Sequence, residues 1–365
     1  MDDLKYMIWL THLYGFKSQY IGCLLKKFGS PEGIYRASEN DLCELKGLPE
    51  GLISKIAYMK GKINPDKMLF DIDKKGIKFV SKFSLDYPLL LKDIENPPLG
   101  LFFLGNMPDF DKLWVSIIGT RRPTAYGKTA TYRLSKELAQ KGVIIVSGMA
   151  DGLDAVANKA ALDAGQPTVA VLGSGVDICY PAVNEKIYEA IKESGCVISE
   201  FPPGTSSDKW HFPLRNRIIS GLSLGLVVVE SGIKSGTMIT VNHALEQGRE
   251  VLAVPGNITS LRSEGTNKLI KEGAHVATCA MDILDALGVI ESEVLHNLNE
   301  EIYNNENIPL APNEKTVYAL LGDEPVDLDD IVQKSGLDPR SVLVALTRLG
   351  LTGLISELPG QKYTR

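Results

Sequence analysis

The chain has 365 residues, 44% of them hydrophobic, and a formal net charge of −6. That length calls for more than one core, and that composition excludes a chain that is disordered throughout. No apolar run reaches the roughly 18 residues of a membrane span, and the N-terminus (Met1-Asp2-Asp3-Leu4-Lys5) lacks the pattern of a secretory signal. Five cysteines (Cys23, Cys43, Cys179, Cys196, Cys279) lie far apart, which argues against a disulfide framework or zinc site and predicts reduced thiols in the cytoplasm.

The charge is uneven. Residues 1–110 carry 15 basic and 14 acidic groups, and residues 111–281 carry 18 and 16. Residues 282–365 carry 6 basic and 15 acidic groups, a net of −9. Anionic partners of the central region must therefore be judged from local clusters rather than from net charge.

In chain order, residues 1–65 read as short helices broken by glycine, with Ile21, Leu24, Leu25 and Phe28 at helical spacing. The stretch Lys46–Ile56 has the outline of a helix–hairpin–helix, or of a plain helical packing module. Residues 66–110 form a lead-in. From Trp114 the pattern changes to β-branched runs (Val115–Ile118, Val143–Val146, Thr168–Leu172, Val197–Ile198, Leu226–Val229, Val251–Val254), mostly followed by helical stretches. Continuous apolar strands with intervening helices predict an α/β fold, an extended Rossmann-like doubly wound parallel sheet over 111–288. Residues 289–312 read as an acidic linker and 313–365 as a winged-helix-like domain. In that domain Asp338-Pro339 starts a helix whose Val342, Leu343, Leu346 and Leu349 share a face, and Gly353–Ile355 with Lys362-Tyr363 form a wing.

In such a sheet, ligands bind where strands lead into helix N-termini. The first of these loops, Gly119-Thr120-Arg121-Arg122-Pro123-Thr124, opens a stretch from Arg121 to Lys136 with five basic residues and no acidic one. Its small residues and helix N-terminus suit an anion, and Arg121, Arg122 and Lys128 suit phosphates. Gly127-Lys128-Thr129 resembles half a P-loop, but Arg122 stands where the first glycine is required. Gly173-Ser174-Gly175 begins a dinucleotide fingerprint that fails at Ile178. Loops suited to phosphate but lacking a nucleotide motif fit a chain of phosphates. Ser147–Asp154 and Ser231–Thr237 add two further strand-end loops, with Ser147 and Gly148 placed for close backbone approach and Asp151 and Asp154 as helix caps.

The segment Lys209–Arg217 interleaves aromatics and cations. Trp210 and Phe212 are candidates to stack on bases, and Lys209, Arg215 and Arg217 to pair with phosphates. The competing readings are Phe212 as a core plug and Arg217 as the partner of a buried carboxylate such as Glu230. No catalytic constellation, cofactor motif or metal set stands out, so the chain is read as no enzyme.

These residues resemble the DNA-processing protein DprA (Smf) family. The resemblance runs through Asp86-Tyr87-Pro88, Asn96-Pro97-Pro98, residues 119–123, Ser147–Asp154, Gly173–Asn184, His211–Ser220, Ser231–Thr240, Gly248–Gly256 and Gly265-Thr266-Asn267. It implies a SAM-like or helix–hairpin–helix N-terminal domain, an extended Rossmann core and a C-terminal winged helix. It also implies binding of single-stranded DNA in natural transformation, loading of the RecA recombinase, and a homodimer through the Rossmann core. Arg121 or Arg122, with Lys209 and Phe212, match the positions that grip DNA in that family. The core is also similar to phosphoribohydrolases, whose loop carries a catalytic Glu. Here Ile239 stands in its place, and an apolar side chain offers no acid–base chemistry. A nucleotide-sensing module is the remaining alternative.

Overall fold

The computed structural model describes residues 2–289, 311–322, 325–351, 355–358 and 362–364. They fall into two compact units, the first holding the N-terminal helices and a large sheet, the second the C-terminal helices and a small sheet. Most of the expected linker lies outside the described residues, as do Asp323, Glu324, Gly353 and Leu354.

The chain opens with α1 (Asp2–Leu10), α2 (Ser18–Phe28), α3 (Pro31–Arg36), α4 (Glu39–Cys43), α5 (Glu50–Lys62) and α6 (Pro65–Lys74). Local chemistry sets several of these starts. The Ser30 hydroxyl accepts from the Gly33 N–H ahead of Pro31, and the Asn64 carbonyl accepts from the Asp66 and Lys67 N–H groups ahead of Pro65. Trp9, Leu13, Ile21, Leu24, Ile34 and Leu52 form their core. This region is not a separate body. Ile8 of α1 and Ile72 of α6 share a buried cluster with Ile77, Phe102 and Val176.

The lead-in supplies more than a connection. It contains β1 (Lys78–Ser81), the short α7 (Leu89–Lys92) and β2 (Gly100–Gly105). Both strands extend the central sheet, β2 running antiparallel to β1 and to β6 (Cys196–Ser199). The Leu-Phe-Phe-Leu run of β2 lacks the β-branched residues that mark the other core strands, and only its two Phe favour a strand.

The six strands expected from the β-branched runs all form: β3 (Trp114–Ile118), β4 (Ile144–Ser147), β5 (Thr168–Val171), β6, β7 (Gly225–Val228) and β8 (Glu250–Ala253). A short β9 (His275–Val276) follows. The helices between and after them are α8 (Ala125–Gln140), α9 (Leu153–Asp163), α10 (Glu185–Ser194), α11 (His211–Gly221), α12 (Gly236–Glu246), α13 (Glu264–Lys271) and α14 (Ala280–Ala286). The nine-stranded sheet has the order β1-β2-β6-β5-β4-β3-β7-β8-β9, with β3 to β9 parallel. Alternate residues of β3 serve opposite faces. Trp114 and Ile118 join the core beneath α11 and α12, and Val115 and Ile117 join that beneath α8, α9 and α14. The chain leaves β3 for β4 on one side and returns to β7 on the other, which puts the topological switch point at their carboxyl ends.

The second unit holds α15 (Pro312–Tyr318), β10 (Val326–Asp327), α16 (Leu328–Ser335), α17 (Pro339–Leu351), β11 (Ser356–Leu358) and β12 (Lys362–Thr364). Its three strands pair in the order β10-β12-β11, the wing of a winged helix. Asp338 caps α17 by accepting from the Arg340 and Ser341 N–H groups, each at 3.1 Å. Val342, Leu346 and Leu349 are buried as expected. Leu343 is 44% exposed, and Ala345 takes the interior position instead.

Candidate nucleic-acid interface

At the switch point, the start of α8 is where a dinucleotide fold holds its pyrophosphate. Here a carboxylate of the chain itself takes that role. The Thr124 N–H donates to Glu230 Oε2 at 3.0 Å, and the Thr124 hydroxyl to Glu230 Oε1 at 2.5 Å. The same hydroxyl oxygen accepts from the Gly127 N–H at 3.1 Å. Glu230, just past β7, is buried. The positive end of α8 is thus neutralised from within, which gives the broken nucleotide motifs their structural counterpart.

Beneath the strand ends lies a second buried polar cluster, and it corrects several expectations. Arg215 is fully buried, its Nη1 donating to the Gly148 carbonyl at 2.7 Å and to the Val171 carbonyl. Burial lowers its pKa to about 10, against the opposing charge of Asp154, so it remains a cation at neutral pH. Burial also raises the pKa of Asp154, opposed first by Arg215, while its carboxylate accepts from the Ala150 and Gly119 N–H groups. Asp154 lies in the first turn of α9 but Gly152 is the N-cap, so Asp154 ties strand-end loops together rather than capping a helix. A Cβ at Gly148 would come within 2.5 Å of both Arg215 Nη1 and Asp154 Oδ2, so a side chain there would have to displace this buried pair.

Arg217 is buried too. It donates to Glu200 at 2.5 Å, not to Glu230 and not outward. Ser147 is buried, with its hydroxyl on the Ile117 carbonyl at 2.7 Å. Arg215, Arg217, Ser147 and Gly148 therefore form the support of the surface and not the surface itself, and the Gly119 N–H is likewise taken by Asp154. The reason lies in periodicity. Residues 209–217 alternate along the chain, but α11 begins at His211, so His211, Arg215 and Ile218 share the face buried against the sheet.

What reaches solvent is a smaller set. Arg121, Arg122, Lys128 and Lys209 are exposed. The Arg121 guanidinium carbon lies 5.1 Å from the centroid of the Phe212 ring, a cation–π arrangement. Phe212 is only partly buried, so it is no core plug. It lies on Gly173, where a Cβ would come within 3.0 Å of the ring, and beside Tyr180 with centroids 5.6 Å apart. Loops after β3 and β5 and the start of α11 thus converge on one aromatic and cationic patch. Arg122 does not share the stacking and points from the same loop to solvent. Trp210 turns to the other side and stacks on Tyr14. Sequence reasoning does not find the roles of Tyr180, Glu230, Asp154 and Glu200 here, since no local spacing links them to their partners. Ile239 sits in the first turn of α12, partly exposed and apolar. Among the described residues no His, Cys, Asp and Glu side chains group to hold a metal ion.

Fold and site together define a class: a Rossmann-type protein with its own carboxylate in the nucleotide position and a cationic, aromatic patch at its strand ends. The family model for DNA recombination-mediator protein A matches residues 78–288, and that for the DprA winged helix domain matches residues 305–361. The chain belongs to this DprA/Smf family of recombination mediators, which is not a family of enzymes. It is 33% identical over 372 residues to Protein Smf of Synechocystis sp., covering 94% of each chain. The solved structure of DNA processing protein A from Streptococcus pneumoniae is 32% identical and aligns over 77% of this chain and 97% of its own with a TM-score of 0.67. A structure of the Helicobacter pylori protein, which concerns its single-stranded DNA binding mode, is 30% identical over 58% of this chain and 95% of its own, with a TM-score of 0.53.

Proposed function

We propose that the chain binds single-stranded DNA at the Arg121–Phe212 patch and delivers it to the RecA recombinase in natural transformation. One observation carries the reading: the Arg121 guanidinium stands 5.1 Å over the ring of Phe212, on a crest whose helix N-terminus is already neutralised by Glu230. Stacking on an aromatic face with cations along the backbone is how single strands are held without regard to sequence. Phe212 and Tyr180 offer ring surface to bases, and Arg121, Arg122, Lys128 and Lys209 offer charge to phosphates. Family membership and the single-stranded DNA binding of the Helicobacter pylori relative support the same reading.

The working form is a homodimer through the Rossmann core. β9 ends the sheet on that side with an unpaired edge and a half-exposed Val276. The setting is the bacterial cytoplasm, in keeping with five free cysteines. No helix among the described residues is long and apolar enough to cross a membrane.

The test is a gel-shift of single- against double-stranded DNA at several salt concentrations. Binding that prefers the single strand and weakens with salt supports the reading. Equal affinity for a mononucleotide and an oligonucleotide would replace it with nucleotide sensing.

A further inference from the structure

Trp210 is the residue immediately before α11, already in helical conformation (φ −78°, ψ −13°). At about 100° per residue it lies on the opposite side of the helix start from Phe212. It is 50% exposed, while the other two tryptophans, Trp9 and Trp114, are 0% and 3% exposed. Its indole is held, not loose: it stacks on Tyr14 with centroids 5.8 Å apart and planes 21° apart, and meets His211 edge-on at 4.2 Å. Tyr14 in turn meets Phe201 edge-on at 5.0 Å, and the Lys55 ammonium of α5 lies 4.4 Å over the Tyr14 ring.

A tryptophan that served only to fasten the N-terminal helices to the core would gain most by complete burial. This one keeps half its surface in water while its orientation is fixed by Tyr14, so little rotamer freedom remains to be lost when a flat ligand stacks on it. The surroundings are cationic on balance. Lys209 precedes it, Lys17 is exposed in the loop beyond Tyr14, and Lys55 stands behind the tyrosine. Asp208 is the opposing charge, exposed and near enough to raise the Tyr14 pKa in addition to the effect of burial. An aromatic with a free portion of its surface, set among cations, has the chemistry that recognises a nucleobase on a phosphate chain.

We infer that Trp210, backed by Tyr14 and Lys55, is a second stacking platform for single-stranded DNA, so that the bound strand crosses the start of α11 and its track includes the N-terminal helical region. The inference rests on the single-strand reading above and deepens it.

The experiment titrates the full-length protein with fluorescein-labelled oligothymidylates, short and long, following label anisotropy and intrinsic tryptophan emission. Because Trp9 and Trp114 are buried, emission that changes on binding and is lost in Trp210→Phe reports Trp210. The expected result is quenching with the long oligomer at saturation and less with the short one. Trp210→Ala should weaken the long oligomer roughly five- to a hundredfold and leave the short one within about twofold, with Trp210→Phe restoring affinity. Asp208→Asn should tighten the long oligomer. If the labelled oligomer binds while emission and acrylamide accessibility of Trp210 stay unchanged, the platform is overturned and the core reading stands. If no oligomer binds, both fall together. If Trp210→Ala weakens short and long oligomers alike, Trp210 belongs to the support of the core site and the extended track is wrong.

Discussion

Arg121 and Phe212 touch, yet one supplies charge and the other ring surface, and two substitutions separate them. Arg121→Glu reverses a charge at the strand-end crest and should weaken every DNA sequence alike. It should also reduce the slope of log affinity against log salt by about 0.7 for each phosphate that is no longer neutralised. Fluorescence anisotropy across a salt series measures both. Phe212→Ala removes ring surface instead. Affinity should fall by about 1–3 kcal/mol with the salt slope nearly unchanged, and the melting temperature should hold because the ring is only partly buried. Arg217 behaves in the opposite way. Its ion pair with Glu200 is buried, and removing one partner of such a pair strands the other charge. Arg217→Ala should destabilise the fold by about 3–5 kcal/mol in denaturant unfolding, and any loss of DNA affinity should follow the unfolded fraction.

At the scale of elements, the short turn after α1 (Thr11–Leu13) holds a histidine that makes the N-terminal region sensitive to acid. Burial pushes the pKa of His12 from 6.5 down to about 4, with a smaller push from the Lys55 charge, against the opposing effect of a hydrogen bond to the Trp9 carbonyl. A depressed pKa means that the unfolded chain takes up a proton which the folded chain refuses. The stability from neutral His12 is therefore complete above about pH 6.5 and is lost progressively as pH falls toward 4. About 2 kcal/mol should be gone by pH 5, before most carboxylates titrate. Thermal unfolding followed by circular dichroism should show the decline between pH 7 and 5, and His12→Asn should flatten it. α11 makes a related point about elements. Its buried cations are indistinguishable from exposed ones by residue type, and only the place where the helix begins sorts Arg215 inward and Arg121's partner Phe212 outward.

For the whole molecule, the charge distribution bears on what the C-terminal domain should contribute to DNA binding. Residues 282–365 carry a net charge of −9, and α17, the helix a winged domain would present to DNA, carries only Arg340 and Arg348 as cations. Residues 313–365 by themselves carry 6 basic and 8 acidic groups, and Arg348 pairs with Glu314 at 3.2 Å, so the domain offers phosphates little net attraction. Deletion of residues 289–365 should leave single-strand affinity within about threefold, a change under about 1 kcal/mol. A folded, monodisperse truncation that lost tenfold or more would make the winged helix a DNA-binding domain after all.

The parallel core strands, the cap at Asp338, the failed nucleotide motifs and the basic loop opened by Arg121 and Arg122 were all legible in the sequence. Each depends on neighbours within a few residues: a β-branched run, an Asp before a Pro, a missing glycine, a basic loop. The antiparallel strands β1 and β2, the inward turn of Arg215 and Arg217, and the pairing of Thr124 with Glu230 were decided by tertiary structure alone. These interactions join residues far apart in the chain, where no periodicity records a partner. Whether a buried arginine faces a carboxylate or an exposed one faces solvent depends on desolvation, a property of the assembled core and not of any local stretch of sequence.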